Sequence, residues 1–193
     1  STLSPAWVRE LAEAARKKGA DFLDAPVGGS RAAAAEGKLM LFVGGDAATL
    51  ARARAPLEAI SARINHLGPV GAGATWKLIN NVMSAAHMAV LAEGLAIAEK
   101  AGIDLKQAAD LIRNGAPGSP MVIGKLPRFV ERNYASADFS LKLMHKDVAY
   151  AAALANAEGV RVRVIPAVGE VYALAEAQGL GDHDVAAIRE VKL

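Results

Sequence analysis

The sequence predicts an α/β part, residues 1–70, followed by an all-helical part, residues 71–193, with one long helix joining the two. Two observations lead to this division. Up to residue 70, helical and strand patterns alternate, which is typical of α/β domains. From Gly71 onward the patterns are helical, and residues 160–165 are the one candidate strand.

Composition limits the classes of protein to consider. Hydrophobic residues make up 53% of the chain and charged residues 22%, which excludes a disordered polypeptide. A formal charge of +2 and an aromatic content of 5% argue against a nucleic-acid partner. The chain has no cysteine, so it has no disulfide, thiol nucleophile or thiolate metal site, as expected in a reducing cytoplasm. The four histidines lie at no metal-ligand spacing, so we expect no metal: His66, His87, His145 and His183.

The first helix and strand have clear local signals. Ser4 is a good N-cap with Pro5 at the first helical position, and a helix is expected to run to about Lys18. Residues 21–25 follow as a short strand, which Pro26 is expected to end. Residues 27–30 then read as a loop.

The rest of the first part supplies two more strands and a helix. Residues 38–43 form a strand-like apolar run, Asp46 caps a helix to about Ile60, and residues 63–67 form a third strand. Three strands are few for a sheet covered by helices. We therefore expect this part to be the end of a larger α/β domain whose beginning is absent.

A long helix is predicted over residues 74–100. Its apolar centre is interrupted by polar and small residues, which a membrane span seldom tolerates. A buried core helix is the better interpretation. The interrupting residues are Ser84, His87, Glu93 and Gly94.

Further helices are predicted from caps and apolar periodicity. Asp104 caps one helix and Ser140 another. The predicted ranges are 104–114, 121–131, 140–158, 166–178 and 184–192.

The start of the long helix is the first candidate site. Lys77 and Asn81 are four residues apart, so a helix places them on one face, one turn apart. Gly71 and Gly73 form a glycine-rich turn whose following N–H groups can hold an anion such as a carboxylate. Taken alone, a lysine and an asparagine at this spacing are more often a solvated pair than a site.

Four blocks in order make the chain resemble the β-hydroxyacid dehydrogenase family. Thr2 with Pro5 is similar to the end of a D-x-S-T-x-x-P segment, and Asp24-Ala-Pro-Val27 with Gly28 and Gly29 is similar to D-A-P-V-S-G-G. The remaining two blocks are Gly71-x-Gly73-x-x-x-Lys77-x-x-x-Asn81 and Phe139 with Lys146-Asp147. Together these blocks span nearly the whole chain.

The resemblance implies a fold and a set of roles. The first part would be the C-terminal portion of a Rossmann-type dinucleotide-binding domain, and the second a helical domain carrying the catalytic Lys77. Asn81 would bind substrate together with Gly28, Gly29 and Ser30. The residues that would contact the nicotinamide cofactor, NAD or NADP, are Thr2, Phe139 and Lys146.

Two departures from the family pattern stand out. Gly28 replaces the usual serine, and Ser30 follows two residues later, so the hydroxyl expected at the substrate carboxylate is missing or displaced. The chain also contains no Gly-x-Gly-x-x-Gly loop to hold a pyrophosphate. We therefore expect this polypeptide alone to be inactive and to bind the cofactor weakly.

Two hypotheses on function follow. The first is an NAD(P)-dependent oxidoreductase acting on a small β-hydroxy acid, similar to 3-hydroxyisobutyrate, or on the matching semialdehyde. The alternative is a non-catalytic oligomerisation or scaffold module derived from such a dehydrogenase. Under either we expect a cytoplasmic homodimer or homotetramer that binds neither nucleic acid nor membrane.

Overall fold

The computed structural model describes residues 2–29 and 31–192. Contacts divide the chain into two compact units. The first comprises Ser1–Asn80 and Ala153–Val160, and the second Asn81–Ala152 and Arg161–Leu193. The structure confirms a small sheet with helices and a large helical part, while the predicted boundary at residue 70 stays a prediction.

Two helices of the first unit directly follow residues with a strong capping preference. α1 (Pro5–Lys17) begins after Ser4, whose hydroxyl accepts the Trp7 N–H at 3.2 Å. α3 (Ala47–Glu58) begins after Asp46, whose carboxylate accepts the Thr49 N–H at 2.9 Å. These bonds satisfy backbone donors that have no partner within the helix, as the sequence predicted. A short α2 (Arg31–Ala35) lies between these two helices in sequence.

The first unit also contains a four-stranded mixed sheet. β3 (Leu39–Gly45) pairs in parallel with β4 (Ser61–Gly68), and antiparallel with β1 (Leu23–Asp24) and β2 (Val27–Gly28).

The predicted loop after Pro26 is wrong at its start. Leu23 pairs with Gly45 and Val27 with Leu41, so the antiparallel register continues unchanged across the proline. Proline lacks an N–H, but the Pro26 carbonyl still accepts the Phe42 N–H at 3.0 Å. Pro26 therefore interrupts the ladder without ending it, and four strands replace the predicted three.

The second unit is helical. It contains part of the long helix α4 (Ala72–Lys100), whose residues 72–80 belong to the first unit. The other helices are α5 (Leu105–Asn114), α6 (Pro120–Glu131), α7 (Leu141–Ala157), α8 (Val164–Ala177) and a final 3₁₀ helix (Val185–Glu190). Residues 153–157 of α7 belong to the first unit.

Two predictions for this region need correction. Residues 160–165, all within the described part of the chain, contain no strand, because α8 already begins at Val164. The last predicted helix is a shorter 3₁₀ helix capped by Asp184, which accepts the Ala186 N–H at 3.1 Å.

The apolar core of the second unit explains why α4 is so rich in apolar residues. The face of α4 that carries Ala85, Met88, Ala92 and Leu95 is buried in this core. Length and composition alone would allow α4 to cross a membrane. Its packed face instead identifies it as a core helix, because it contributes to a core shared with α5 to α8 and the 3₁₀ helix.

Buried polar groups in this core have partners. The Tyr172 hydroxyl donates to the Ala85 carbonyl at 3.3 Å, and burial raises the pKa of Tyr172. The buried Lys125 ammonium donates to the buried Asp184 carboxylate at 2.7 Å. Such a pair fixes the position of the 3₁₀ helix, because loss of either partner would leave an unpaired buried charge.

Candidate active site

The structure places Lys77 and Asn81 on α4, in its second and third turns. Lys77 is half-buried, whereas Asn81 is only 5% exposed. Residues four apart in sequence lie on the same side of a helix. The placement agrees with the predicted spacing, while the roles of both residues stay predictions.

The anion expected at the start of α4 is a carboxylate of the protein itself. Asp24 accepts the Gly71 N–H through Oδ1 at 2.7 Å and the Ala74 N–H through Oδ2 at 2.8 Å. Ala72 donates to the Pro69 carbonyl, and Thr75 donates to the Gly71 carbonyl. The Gly71 and Ala74 N–H groups do hold a carboxylate, as the sequence predicted, but it belongs to Asp24 and not to a ligand.

Asp24 acts as a remote helix cap. A capping box satisfies the N–H of the N-cap residue and that of the third helical residue with two side chains from the helix itself. Here Gly71, which precedes α4, has no side chain to offer, and its φ of 93° suits glycine. Asp24 on β1 makes both bonds from the sheet, which ties α4 to the strand.

Two glycines make room for the buried Asp24 carboxylate. A Cβ on Gly44 would lie 2.4 Å from Asp24 Oδ1. A Cβ on Gly73 would lie 2.9 Å from Asp24 Oδ2 and 2.2 Å from the Phe42 carbonyl oxygen. Gly73 thus serves close packing of α4 on β3, which explains the second glycine of the motif without any ligand.

Gly28 lies against the ring of Phe42. A Cβ at Gly28 would be 3.1 Å from Phe42 Cζ, which is tighter than ordinary van der Waals contact. The same ring meets the Trp76 ring edge-on, with centroids 6.4 Å apart. Phe42 therefore links the Gly28 segment to the turn of α4 that holds Lys77. Gly29 follows with a φ of 119°, and Ser30 lies outside the described residues.

In the second unit, Asp147 holds both Asn81 and Lys146. Its carboxylate, 1% exposed, accepts from Asn81 Nδ2 at 2.6 Å and from Lys146 Nζ at 2.5 Å. The Lys146 ammonium also lies 4.7 Å from the centre of the Tyr150 ring. Because a carboxylate only accepts hydrogen bonds, it fixes which way the Asn81 amide faces.

Sequence reasoning did not assign Asp147 as a site residue, although a signal was present. Met144, Val148 and Ala151 form the buried face of α7, and position 147 lies on that face. A charged residue at a buried position of an amphipathic helix needs a partner, and this points to a specific polar contact.

Phe139 and Thr2 have less distinctive surroundings. Phe139 packs against the core of the second unit, and its carbonyl accepts the Val185 N–H at 2.9 Å. Thr2 is half-buried in the segment before α1. Their predicted contact with a cofactor stays a prediction.

A separate open depression lies on the first unit and contains none of the predicted site residues. Arg9 and Arg16 line it beside Glu13 and Asp21, so charges of opposite sign alternate around it. Such a mixed surface gives no preference for one ligand charge, and we assign it no role.

Comparison with known proteins identifies the family of the chain. Residues 71–191 match the family model described as the NAD-binding region of NADP-dependent 3-hydroxyisobutyrate dehydrogenase. Residues 1–68 match the model of the NAD-binding domain of 6-phosphogluconate dehydrogenase. The chain therefore belongs to the β-hydroxyacid dehydrogenase family.

Individual relatives match over almost all of this chain. Glyoxylate/succinic semialdehyde reductase 1 of Arabidopsis thaliana is 34% identical over 190 residues, which are 98% of this chain and 65% of the relative. NAD-dependent L-serine dehydrogenase of Pseudomonas aeruginosa is 34% identical, covering 99% of this chain and 66% of the relative. The chain thus spans slightly under two thirds of the length of these curated relatives.

Solved structures share the fold. 3-Hydroxyisobutyrate dehydrogenase from Salmonella typhimurium superposes with a TM-score of 0.93 at 27% identity, covering 100% of this chain and 67% of that one. The Mycobacterium tuberculosis 3-hydroxyisobutyrate dehydrogenase, whose structure was determined with L-serine, gives 0.87 at 31% identity, covering 98% and 67%.

Proposed function

We propose that the protein is an NAD(P)-dependent oxidoreductase acting on a small β-hydroxy acid or the matching semialdehyde. The observation that carries the proposal is the buried Asn81–Asp147 pair, one helical turn beyond Lys77. Burying an amide and a carboxylate costs free energy that apolar residues would avoid. A half-buried lysine and a fixed amide on one helix are instead suited to holding and deprotonating a hydroxyl group.

Lys77 would be the catalytic acid and base. In the oxidation, its amine takes the proton of the substrate hydroxyl while the carbon–oxygen double bond forms and the hydride leaves the same carbon. In the reduction, its ammonium returns that proton to the developing alkoxide, where positive charge is also stabilising. The nicotinamide, when bound, accepts or supplies the hydride.

Other residues of this chain would bind and orient. Asn81, its amide held by Asp147, would fix the substrate hydroxyl in one geometry. The backbone N–H groups of Gly28 and Gly29, with Ser30, would bind the substrate carboxylate.

The candidate cofactor-binding residues suit the nicotinamide end of the dinucleotide and not its pyrophosphate. A hydroxyl, an aromatic ring and an ammonium suit the nicotinamide end, and would come from Thr2, Phe139 and Lys146. The start of α4 does not fit a pyrophosphate, because Asp24 already occupies its N–H groups with negative charge. We therefore place no phosphate there.

Substitution of Lys77 tests the proposal. In the protein made from the complete reading frame that contains this sequence, Lys77→Ala should lower kcat by at least about a hundredfold, the usual effect of a positioned acid or base. The dissociation constant of the dinucleotide should change little. Lys77→Arg should also fail, because a guanidinium does not release its proton.

Lys100→Ala is the matched control, since Lys100 is an exposed lysine at the other end of the same helix. It should leave kcat unchanged. Near-wild-type turnover in Lys77→Ala would remove Lys77 from the mechanism. A wild-type protein that self-associates but turns over no hydroxy acid or semialdehyde would favour the scaffold alternative.

A further inference from the structure

Asp24 accepts hydrogen bonds from the start of α4 through both of its carboxylate oxygens. It is 6% exposed, and each oxygen accepts one N–H group at the start of α4. Hydrogen bonds to an ionised acceptor are about twice as strong as those between neutral groups. The bonds join β1 to α4 across 47 and 50 residues of sequence, so they fix where the helix begins relative to the sheet.

Lys77 lies one turn after the capped start of α4. Ala74, which donates to Asp24, is three residues before Lys77 and is the residue whose carbonyl faces the N–H of Leu78 in an α-helix. Movement of the helix start would therefore move the Cα of Lys77. A side chain at Gly44 or Gly73 would clash with the Asp24 carboxylate, so the position of this cap depends on both glycines.

We propose that Asp24 is a positioning residue for Lys77: by capping α4 from the sheet, it sets the place from which Lys77 reaches the substrate. This inference rests on the proposed function. It also implies that the substrate carboxylate is bound away from the start of α4, because Asp24 supplies the anion there.

The main test is Asp24→Asn in the complete protein. The amide keeps the shape of the side chain but replaces one acceptor oxygen with an N–H₂ group that faces another donor. We expect kcat to fall by roughly tenfold to a hundredfold, because a displacement of about 1 Å at a catalytic group has an effect of that order. The Michaelis constant for the dinucleotide should stay unchanged.

Asp104→Asn is the matched control. Asp104 caps α5 by accepting the Gln107 N–H at 2.9 Å, in an exposed position. The same chemical change there should leave kcat unaltered. Full activity in Asp24→Asn, or an equal loss in both variants, would overturn the positioning role.

A double-variant cycle separates positioning from general loss of structure. If Asp24 acts through Lys77, Asp24→Asn should lower the single-turnover rate in the wild-type background but not further in Lys77→Ala. Equal factors in both backgrounds would mean a purely structural role. Wild-type turnover in Lys77→Ala alone would instead contradict the proposed function, which keeps the two failures distinguishable.

Amide hydrogen exchange in the wild-type protein gives a readout that needs no variant. The first N–H groups of a helix normally exchange quickly because they have no partner within the helix. The Gly71 and Ala74 amides should instead exchange as slowly as that of Leu78. Rapid exchange at both would overturn the proposal even if Asp24→Asn does not fold.

Discussion

Two glycines of α4 offer an internally controlled test of how this helix is held. Gly73→Ala and Gly94→Ala make the same chemical change in the same helix. At Gly73 the new Cβ would lie 2.2 Å from the Phe42 carbonyl oxygen and 3.0 Å from that of Asp24. At Gly94, which is exposed, nothing lies within 4 Å of it. The two positions therefore separate packing from helix propensity.

The expected changes in stability have opposite signs. Overpacking costs about 1–3 kcal/mol or more, and a backbone carbonyl in a central strand cannot move aside as a side chain can, so Gly73→Ala should lie at the upper end. Gly94→Ala should stabilise by about 0.5–1 kcal/mol, because alanine loses less conformational freedom in a helix. For a protein of this size, the melting temperature shifts by about 2–4 °C per kcal/mol.

Urea unfolding followed by circular dichroism measures both changes. We expect a clearly lower midpoint for Gly73→Ala, a slightly higher one for Gly94→Ala, and similar slopes. Similar midpoints for the two variants would refute the inferred close approach of α4 to β3, and with it the explanation of the Gly71-x-Gly73 motif.

Three further predictions follow from individual contacts. Gly28→Ser should lower the free energy of unfolding by about 1 kcal/mol, because the new side chain displaces the Phe42 ring. Combined with Phe42→Leu, it should tighten binding of short hydroxy acids by about 0.5–1.5 kcal/mol. Unchanged Michaelis constants would show that a serine hydroxyl at this position does not bind the substrate. Asn81→Asp places a second carboxylate beside buried Asp147 and should destabilise by about 3–5 kcal/mol, as an uncompensated buried charge does; an unchanged midpoint of urea unfolding would contradict this. Burial raises the pKa of Asp138, but the positive charges of Lys125 and Arg128 outweigh it and lower that pKa below its usual 3.8, so Asp138 stabilises the fold above that pH. The stability difference between wild type and Asp138→Asn should be under about 1 kcal/mol, because this carboxylate is half exposed. It should shrink as the pH falls further, and a difference that grows would refute the assignment.

Local signals in the sequence predicted much of the fold. Ser4, Asp46 and Asp104 cap helices as their residue types and positions indicated, because capping depends on bonds within one turn. The long helix was predicted to within two residues of its start because a glycine-rich turn precedes it.

The corrections concern contacts distant in sequence. Nothing near Gly71 shows that Asp24 will fill its helix start, because the bond spans 47 residues. Whether a strand ends at Pro26 depends on whether the residues after it pair with another strand. Here they pair with β3, which comes later in the sequence, so the residues around Pro26 do not show it. Asp147 was detectable from helical periodicity, but its partner Asn81 was not.

Isotope transfer tests the central claim most directly. The protein made from the complete reading frame is incubated with NADH and NADPH carrying deuterium at C4 of the nicotinamide, together with a panel of small semialdehydes. We predict a hydroxy-acid product with one deuterium on the carbinol carbon, formed at a rate at least about a hundredfold lower in Lys77→Ala than in wild type or Lys100→Ala. Absence of deuterium transfer to every substrate, or equal transfer in Lys77→Ala, would contradict the account.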